Sequence, residues 1–344
     1  MQVLGVARPF LAAVVAVVLV AASDATIAPE VRGLLGRYFK FTSSDVADLE
    51  RGRVVKRSLD ASAPGEIAVV GAARISASAD AFVARVRNIE EFKRGPDVIQ
   101  IGRFSNPPRL DDLNRLTIDQ DDLDLRKCRV GACDIRLPAE AIGRFQREID
   151  WRAPDADSRA AAVFRQVLFE HVRAYIGGGR GRITEYDDEK RVVRPGDDFD
   201  GLLKNSPYVG ALVPGMPAHL REPARNPLSG TDELLYWSKE RFGLTPFITV
   251  THVVIAKAAS GAHVIVSRDV YSSRYFDASL SYAVASPAVD ASTGFNLLYA
   301  NRSRASGLKG AFAGLRRAIV ERRAKNALDE TLKNIRGKLE AKSR

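Results

Sequence analysis

Apolar positions recur along the chain in two rhythms, and the change of rhythm divides it into parts. "APEVRGLLGRYFK" reads as a short amphipathic helix. "SSDVADLERG" reads as a second, because it opens on N-cap residues and stops at Gly52. "RVVKRSL" and "EIAVVGAARI" are strand-like runs joined by the turn-rich "DASAPG", which predicts a hairpin. "SASADAFVARVRNIEEF" then sets Phe82, Val86, Ile89 and Phe92 at helical spacing. "PDVIQIGRFSNPP" is a strand stopped by two prolines.

From about Arg109 to Phe242 the helical rhythm dominates. "PAEAIGRFQREIDW", "DSRAAAVFRQVLFEHVRAYIGGG" and "TDELLYWSKERFG" all read as helices. In the second, Ala161, Phe164, Leu168, Val172 and Tyr175 share one face, and three glycines end it. The proline-rich stretch between the second and third reads as short helices and loops.

Strands return after Gly243. "PFITVTHVVIAKA" and "AHVIVSRDVY" flank "ASG", a hairpin signal, and "RYFDASLSYAVAS" and "TGFNLLYAN" follow. The run from Ala262 to Ser286 is too long for one strand and breaks near Ser272–Ser273. Both faces of "FITVTHVVI" are apolar, which predicts a sheet covered on both sides. The last segment, about Ala305 to Glu340, reads as one helix spanning roughly 54 Å at 1.5 Å per residue. Leu308, Phe312, Leu315 and Ile319 form one stripe on it. Leu328, Leu332, Ile335 and Leu339 form another, shifted in phase after "ERRAK".

Composition adds an address. The chain has 344 residues, 46% hydrophobic and 27% charged, enough for one large or two ordinary globular domains. "FLAAVVAVVLVAA", from Phe10 to Ala22, follows a single charged residue, Arg8, and precedes small residues. This is the pattern of a secretory signal peptide, shorter than the about 20 apolar residues of a membrane span. The competing reading is a retained N-terminal anchor. The expected division is a signal peptide over 1–22 and one domain over 26–344, in the periplasm or outside the cell.

Charge is local. Thirteen Lys or Arg against four Asp or Glu in residues 301–344 carry nine of the ten net positive charges. In an exported protein such a helix points to anionic lipid or envelope polymer rather than nucleic acid. Arg316, Arg317, Arg322, Arg323 and Lys325 are the membrane-surface candidates, and a solvated outer face is the alternative. Cys128 and Cys133, in "CRVGACD", are the only cysteines and read as a disulfide in an oxidising compartment. Their spacing is not that of a thioredoxin-like redox pair, and no His lies near enough for zinc.

The order at the two ends resembles a known architecture. A strand, "EIAVVGAARI", leads through a small-residue turn into a helix ending "VRNIEEF", and antiparallel strands ending "GFNLLYANRS" lead into a long C-terminal helix. This resembles the helix-grip proteins related to START lipid-transfer domains and polyketide cyclases, over 55–96 and 245–340. The resemblance implies an α+β fold in which an antiparallel sheet grips the 305–340 helix around an apolar cavity for lipids or other hydrophobic ligands. The 97–242 region departs from it and is expected to be a mainly helical insertion.

Candidate chemistry is sparse. With the hairpin turn near Ala259, His252 is expected opposite Ser267, with Asp269 and Tyr271 on the same face. Ser267, His252 and Asp269 have the residue types of a nucleophile, base and orienter, so a hydrolase or cyclase is one reading. The other makes His252, Asp269 and Tyr271 the polar end of a binding cavity whose apolar wall is Phe312, Leu315 and Ile319. No "GxSxG" elbow occurs. "SGLK" at Ser306–Lys309 lacks a following "KTG", and Ser306 reads as a helix cap. "DQDDLDL" lacks the glycine and twelfth-position acid of a calcium loop. "GGGRGR" follows a helix where a phosphate loop would follow a strand. His171, His219, His252 and His263 show no metal-ligand spacing. No metal and no cofactor are expected; the expected partners are a hydrophobic small molecule or lipid and an anionic membrane surface, or, without a cavity, an envelope component.

Overall fold

The computed structural model describes residues 27–118, 124–178, 185–188, 192–242, 245–289, 294–308 and 313–341. The segment 1–22 read as a signal peptide and Phe312 lie outside the described residues. The protein is α+β, with an eight-stranded, wholly antiparallel open sheet and a long C-terminal helix.

The strands are β1 (Val55–Ser58), β2 (Glu66–Ile75), β3 (Val98–Arg103), β4 (Asp232–Phe242), β5 (Thr245–Lys257), β6 (His263–Ser272), β7 (Ala278–Pro287) and β8 (Phe295–Arg304). Their order across the sheet is β1-β2-β8-β7-β6-β5-β4-β3. The run β4 to β8 is a meander, and β2 returns to pair with β8 from Glu66 opposite Arg304 to Ile75 opposite Phe295.

Both faces of the sheet are covered, because the central strands carry apolar side chains in both directions. One face receives α1 (Pro29–Phe39), α2 (Ser43–Glu50), α5 (Ala139–Glu148), α6 (Ala156–Gly178), α7 (Pro195–Lys204) and α8 (Met216–Arg221). Leu35, Phe39, Phe199 and Met216 meet Val70, Val254, Val266 and Tyr282 there. Phe145, Phe164 and Leu168 meet Trp237, Ile248 and Val250. The other face receives α3 (Ala79–Arg87), α4 (Ile89–Phe92) and α9 (Ala313–Glu340). Phe82 and Val83 cover Phe295, and Leu328, Leu332, Ile335 and Leu339 cover the β2 side. Local signals set the starts of two helices. Thr42 and Asp45 close a reciprocal capping box on α2, and the Ser78 hydroxyl accepts the Ala81 N–H at α3.

Several buried charges are paired. Arg302 reaches Glu66 at 2.5 Å between β8 and β2, and Arg304 reaches Asp198 of α7 at 3.2 Å. Arg136 reaches Asp277 at 2.6 Å with both side chains buried. Cys128 and Cys133 are disulfide-bonded around a turn in which Gly131 takes φ 77°.

Two expectations change. "DELLYWSKERF" is strand β4, not a helix, and β3 and β4 place the ends of the 97–242 region in the sheet. Its Leu, Glu and Lys suit a helix, but pairing with β5 over Asp232–Phe242 and with β3 on the other side overrides that preference. The last helix does not run from Ala305: Ser306–Leu308 is a 3-10 turn, and the described α-helix spans Ala313–Glu340. The Ser306 hydroxyl donates to Asp277 at 2.7 Å.

Candidate functional site

Helix α9 packs against β2 and β1, at one side of the sheet. It leaves the middle strands open beneath it. The space is a cavity of about 1000 Å³ bounded by the sheet, α3, α4 and α9.

Side chains on this face alternate along each strand, and the register sorts them into rows. One row runs Tyr299, Ala283, Ile265 and Ile255. The next runs Asn301, Ser281, Ser267 and Val253. The one beyond holds Ser303 opposite Ser279 on one side, and Asp269 opposite Thr251 and then Tyr236 on the other. The floor therefore passes from apolar to polar along the strand direction. Phe82, Val86, Ile89 and Phe92 from α3 and α4 add to the apolar wall, as do Leu308, Val320, Ala324 and Ile335.

The polar end is held by its own hydrogen bonds. Thr251 Oγ1 donates to Asp269 at 2.9 Å. Burial pushes the Asp269 carboxyl up to about 6, against the opposing pull of Thr251 and Lys93. Lys93 donates to Glu240 at 2.6 Å and lies 3.4 Å from the Tyr236 hydroxyl. Burial opposes the Lys93 charge, but Tyr236 and Glu240 outweigh it and hold the ammonium above its ordinary range. Burial raises the phenols of Tyr236 and Tyr299. Asn301 Nδ2 donates to Ser281 at 3.0 Å, and Tyr299 shares a hydrogen bond with the same serine. These groups can orient the polar head of a ligand whose body lies under α9.

The structure separates the residues that the hairpin register was expected to unite. Asp269 and Ser267 line the cavity. His252 pairs with Arg268, not Ser267, and its side chain lies on the opposite face. A bulge between Val250 and Thr251 changes the register, so Tyr271 sits opposite Val250 and also leaves the cavity face. Its hydroxyl donates to the Arg136 carbonyl at 3.0 Å, among Phe164 and Tyr186. The nucleophile, base and orienter are thus not assembled: the sheet stands between His252 and Ser267. Leu315 and Ile319 are 65% and 42% exposed and form no wall. Val320, Ala324 and Ile335 take that place. Arg316, Arg322 and Arg323 are exposed, Arg317 and Lys325 half-buried, and Arg323 borders the cavity.

The sequence reading passed over Tyr236, Ser279, Ser281, Tyr299, Asn301 and Ser303. A signal was present for Ser279 and Ser281, which alternate with apolar residues in "ASLSYA"; in "YANRSR" Arg302 and Arg304 break the alternation, so Asn301 and Ser303 do not stand out. On the other face, His252 approaches His219 and Glu233, which the sequence does not connect.

The fold and site define an α+β protein with an amphipathic cavity between sheet and C-terminal helix. Compared with known proteins, the chain matches no family model and no curated sequence. Among the described residues no helix is long and apolar enough to cross a membrane.

Proposed function

We propose that this is an exported binding protein that holds an amphipathic, lipid-like molecule in the cavity under α9. The observation that carries the reading is the polarity of the cavity floor, from Ile265 and Ala283 to Asp269, Ser279 and Ser303. A space of about 1000 Å³ with an apolar body and a few convergent polar groups suits a small hydrophobic ligand. The resemblance to START-like helix-grip proteins supports the same reading, and the antiparallel sheet with its C-terminal helix is compatible with that architecture. Export is supported by the N-terminal pattern and by the Cys128–Cys133 disulfide.

The test is native mass spectrometry of protein purified from its own cell envelope, repeated with Ala283→Trp. The expected result is a co-purifying apolar molecule that Ala283→Trp, which fills the cavity, excludes. Ligand-free wild type that also fails to take up fluorescent fatty-acid and sterol probes would sink the proposal.

A second reading concerns the outside of α9. Leu315 and Ile319 stand exposed beside Arg316 and Arg322. Apolar groups beside cations are what an anionic lipid surface binds. On this reading the helix that roofs the cavity also brings it to a membrane.

A further inference from the structure

On the face of the sheet away from the cavity, three side chains from three elements converge. His219 comes from α8, Glu233 from β4 and His252 from β5. Glu233 and His252 are diagonal neighbours on paired strands, since Glu233 sits opposite Val254 and Leu235 opposite His252. One ligating atom from each of the three lies within 4.8 Å of the others. His219 Nε2 is 3.1 Å from Glu233 Oε1, and His252 Nε2 is 3.0 Å from Glu233 Oε2.

The other ring nitrogens are already occupied. His219 Nδ1 lies 2.9 Å from the Asn226 carbonyl oxygen, which can only accept. The Nδ1 therefore carries a proton, which leaves Nε2, on the side of Glu233, as the ring atom that could ligate a metal. That Nε2 is buried and makes no hydrogen bond, its contact with Glu233 being off hydrogen-bond geometry. His252 Nδ1 lies 2.8 Å from the Tyr175 hydroxyl. Metal-bound histidines are held in this way, with the second nitrogen fixed by a carbonyl, a carboxylate or a similar group that sets ring orientation.

We propose that His219, Glu233 and His252 form a binding site for a divalent transition metal of the zinc type. Zinc takes His nitrogen and carboxylate oxygen at about 2.0–2.2 Å, so neighbouring ligands of a tetrahedral ion lie roughly 3.3 Å apart. The contacts of 3.0 and 3.1 Å are near that separation before any ion draws the groups into place. Two imidazoles and one carboxylate favour zinc and its neighbours over calcium or magnesium, which prefer oxygen alone. Both histidines are buried, while the Glu233 side chain is 35% exposed. One coordination position thus faces solvent and is open to water or an exogenous donor. Arg268, on the strand beside His252, works against a cation, but its guanidinium donates to the Leu220 carbonyl at 2.6 Å and stacks 3.7 Å over Phe199. The Glu233 carboxylate supplies the compensating negative charge. The site would pin α8, in the helical region, to β4 and β5.

The test uses untagged full-length protein, stripped with chelator, titrated with Zn²⁺ by calorimetry and with Co²⁺ by visible absorption. The expected result is one metal per chain, a Co²⁺ spectrum of low coordination number, and a melting temperature raised by Zn²⁺. Glu233→Gln, at a half-exposed position that should leave folding intact, is expected to weaken binding at least tenfold. His219→Gln should weaken it further. Failure to bind one equivalent of Zn²⁺, or equal affinity in the wild type and both folded variants, would overturn the proposal. It would leave the cluster as an ion pair between Glu233 and protonated histidine. The outcome is independent of whether the cavity on the other face holds a lipid.

Discussion

Gly71 of β2 faces Leu332 of α9 so closely that a Cβ added at Gly71 would lie 2.8 Å from Leu332 Cδ1 and 3.1 Å from Leu328 Cδ2. The absent side chain is what lets the helix settle onto the β2 side of the sheet and leave the middle strands uncovered. Gly71→Val should destabilise the protein by about 1–3 kcal/mol, the usual range for overpacking a filled core. Gly71→Ala should cost less, because the tips of two leucines can yield. Urea unfolding would check both; equal stability of all three proteins would mean that α9 does not seat on Gly71.

The inner and outer faces of α9 should respond differently to truncation. Leu332 is fully buried and Leu315 is 65% exposed. Leu332→Ala is expected to cost about 2–5 kcal/mol, as buried leucines do. Leu315→Ala is expected to stay within about 0.5 kcal/mol. A comparable loss at Leu315, measured by the same unfolding curves, would return that residue to the core.

Asp269 makes stability depend on pH. Its carboxyl is pushed up to about 6 in the fold, against an ordinary value of 3.8. Between those values the folded state binds more protons than the unfolded state, so stability falls as pH rises through the window and stays lower above it. The full effect is up to about 3 kcal/mol at the conversion of 1.36 kcal/mol per unit. Asp269→Asn should therefore stabilise the protein at pH 8 and leave it nearly unchanged at pH 4. A stability difference that does not vary with pH would contradict the buried-carboxyl account.

The basic outer face of α9 predicts salt-sensitive binding to anionic vesicles. Each Lys or Arg near such a surface contributes about 1 kcal/mol. Arg316→Ala combined with Arg322→Ala should lower the partition coefficient by more than tenfold at low salt, and rising salt should erase the difference. Vesicle sedimentation would show this; binding unchanged by the variants or by salt would make the face a solvated one.

Much of this protein is legible in its sequence wherever the information is local. The rhythm of Phe82, Val86, Ile89 and Phe92 places the helical stretch, which the structure breaks at Asn88 into α3 and α4. The turn-rich "DASAPG" and "ASG" place two hairpins, and the two-sided apolar character of "FITVTHVVI" foretells a sheet covered on both faces. The disulfide follows from two cysteines five positions apart.

Tertiary structure alone decided the rest, because those outcomes depend on long-range pairing. β4 carries helix-forming residues and becomes a strand only because β3 and β5 flank it. The exposed and buried stripes of α9 look alike in sequence, and contact with Gly71 selects Leu328 and Leu332 over Leu315 and Ile319. One bulged position on β6 sends Tyr271 away from Asp269, since side-chain direction reverses with each residue. The pairing of His252 with Arg268 removes it from the cavity and brings it to His219, thirty-three positions earlier in the chain. Residue types were visible in the sequence; which of them share a face was fixed by strand register.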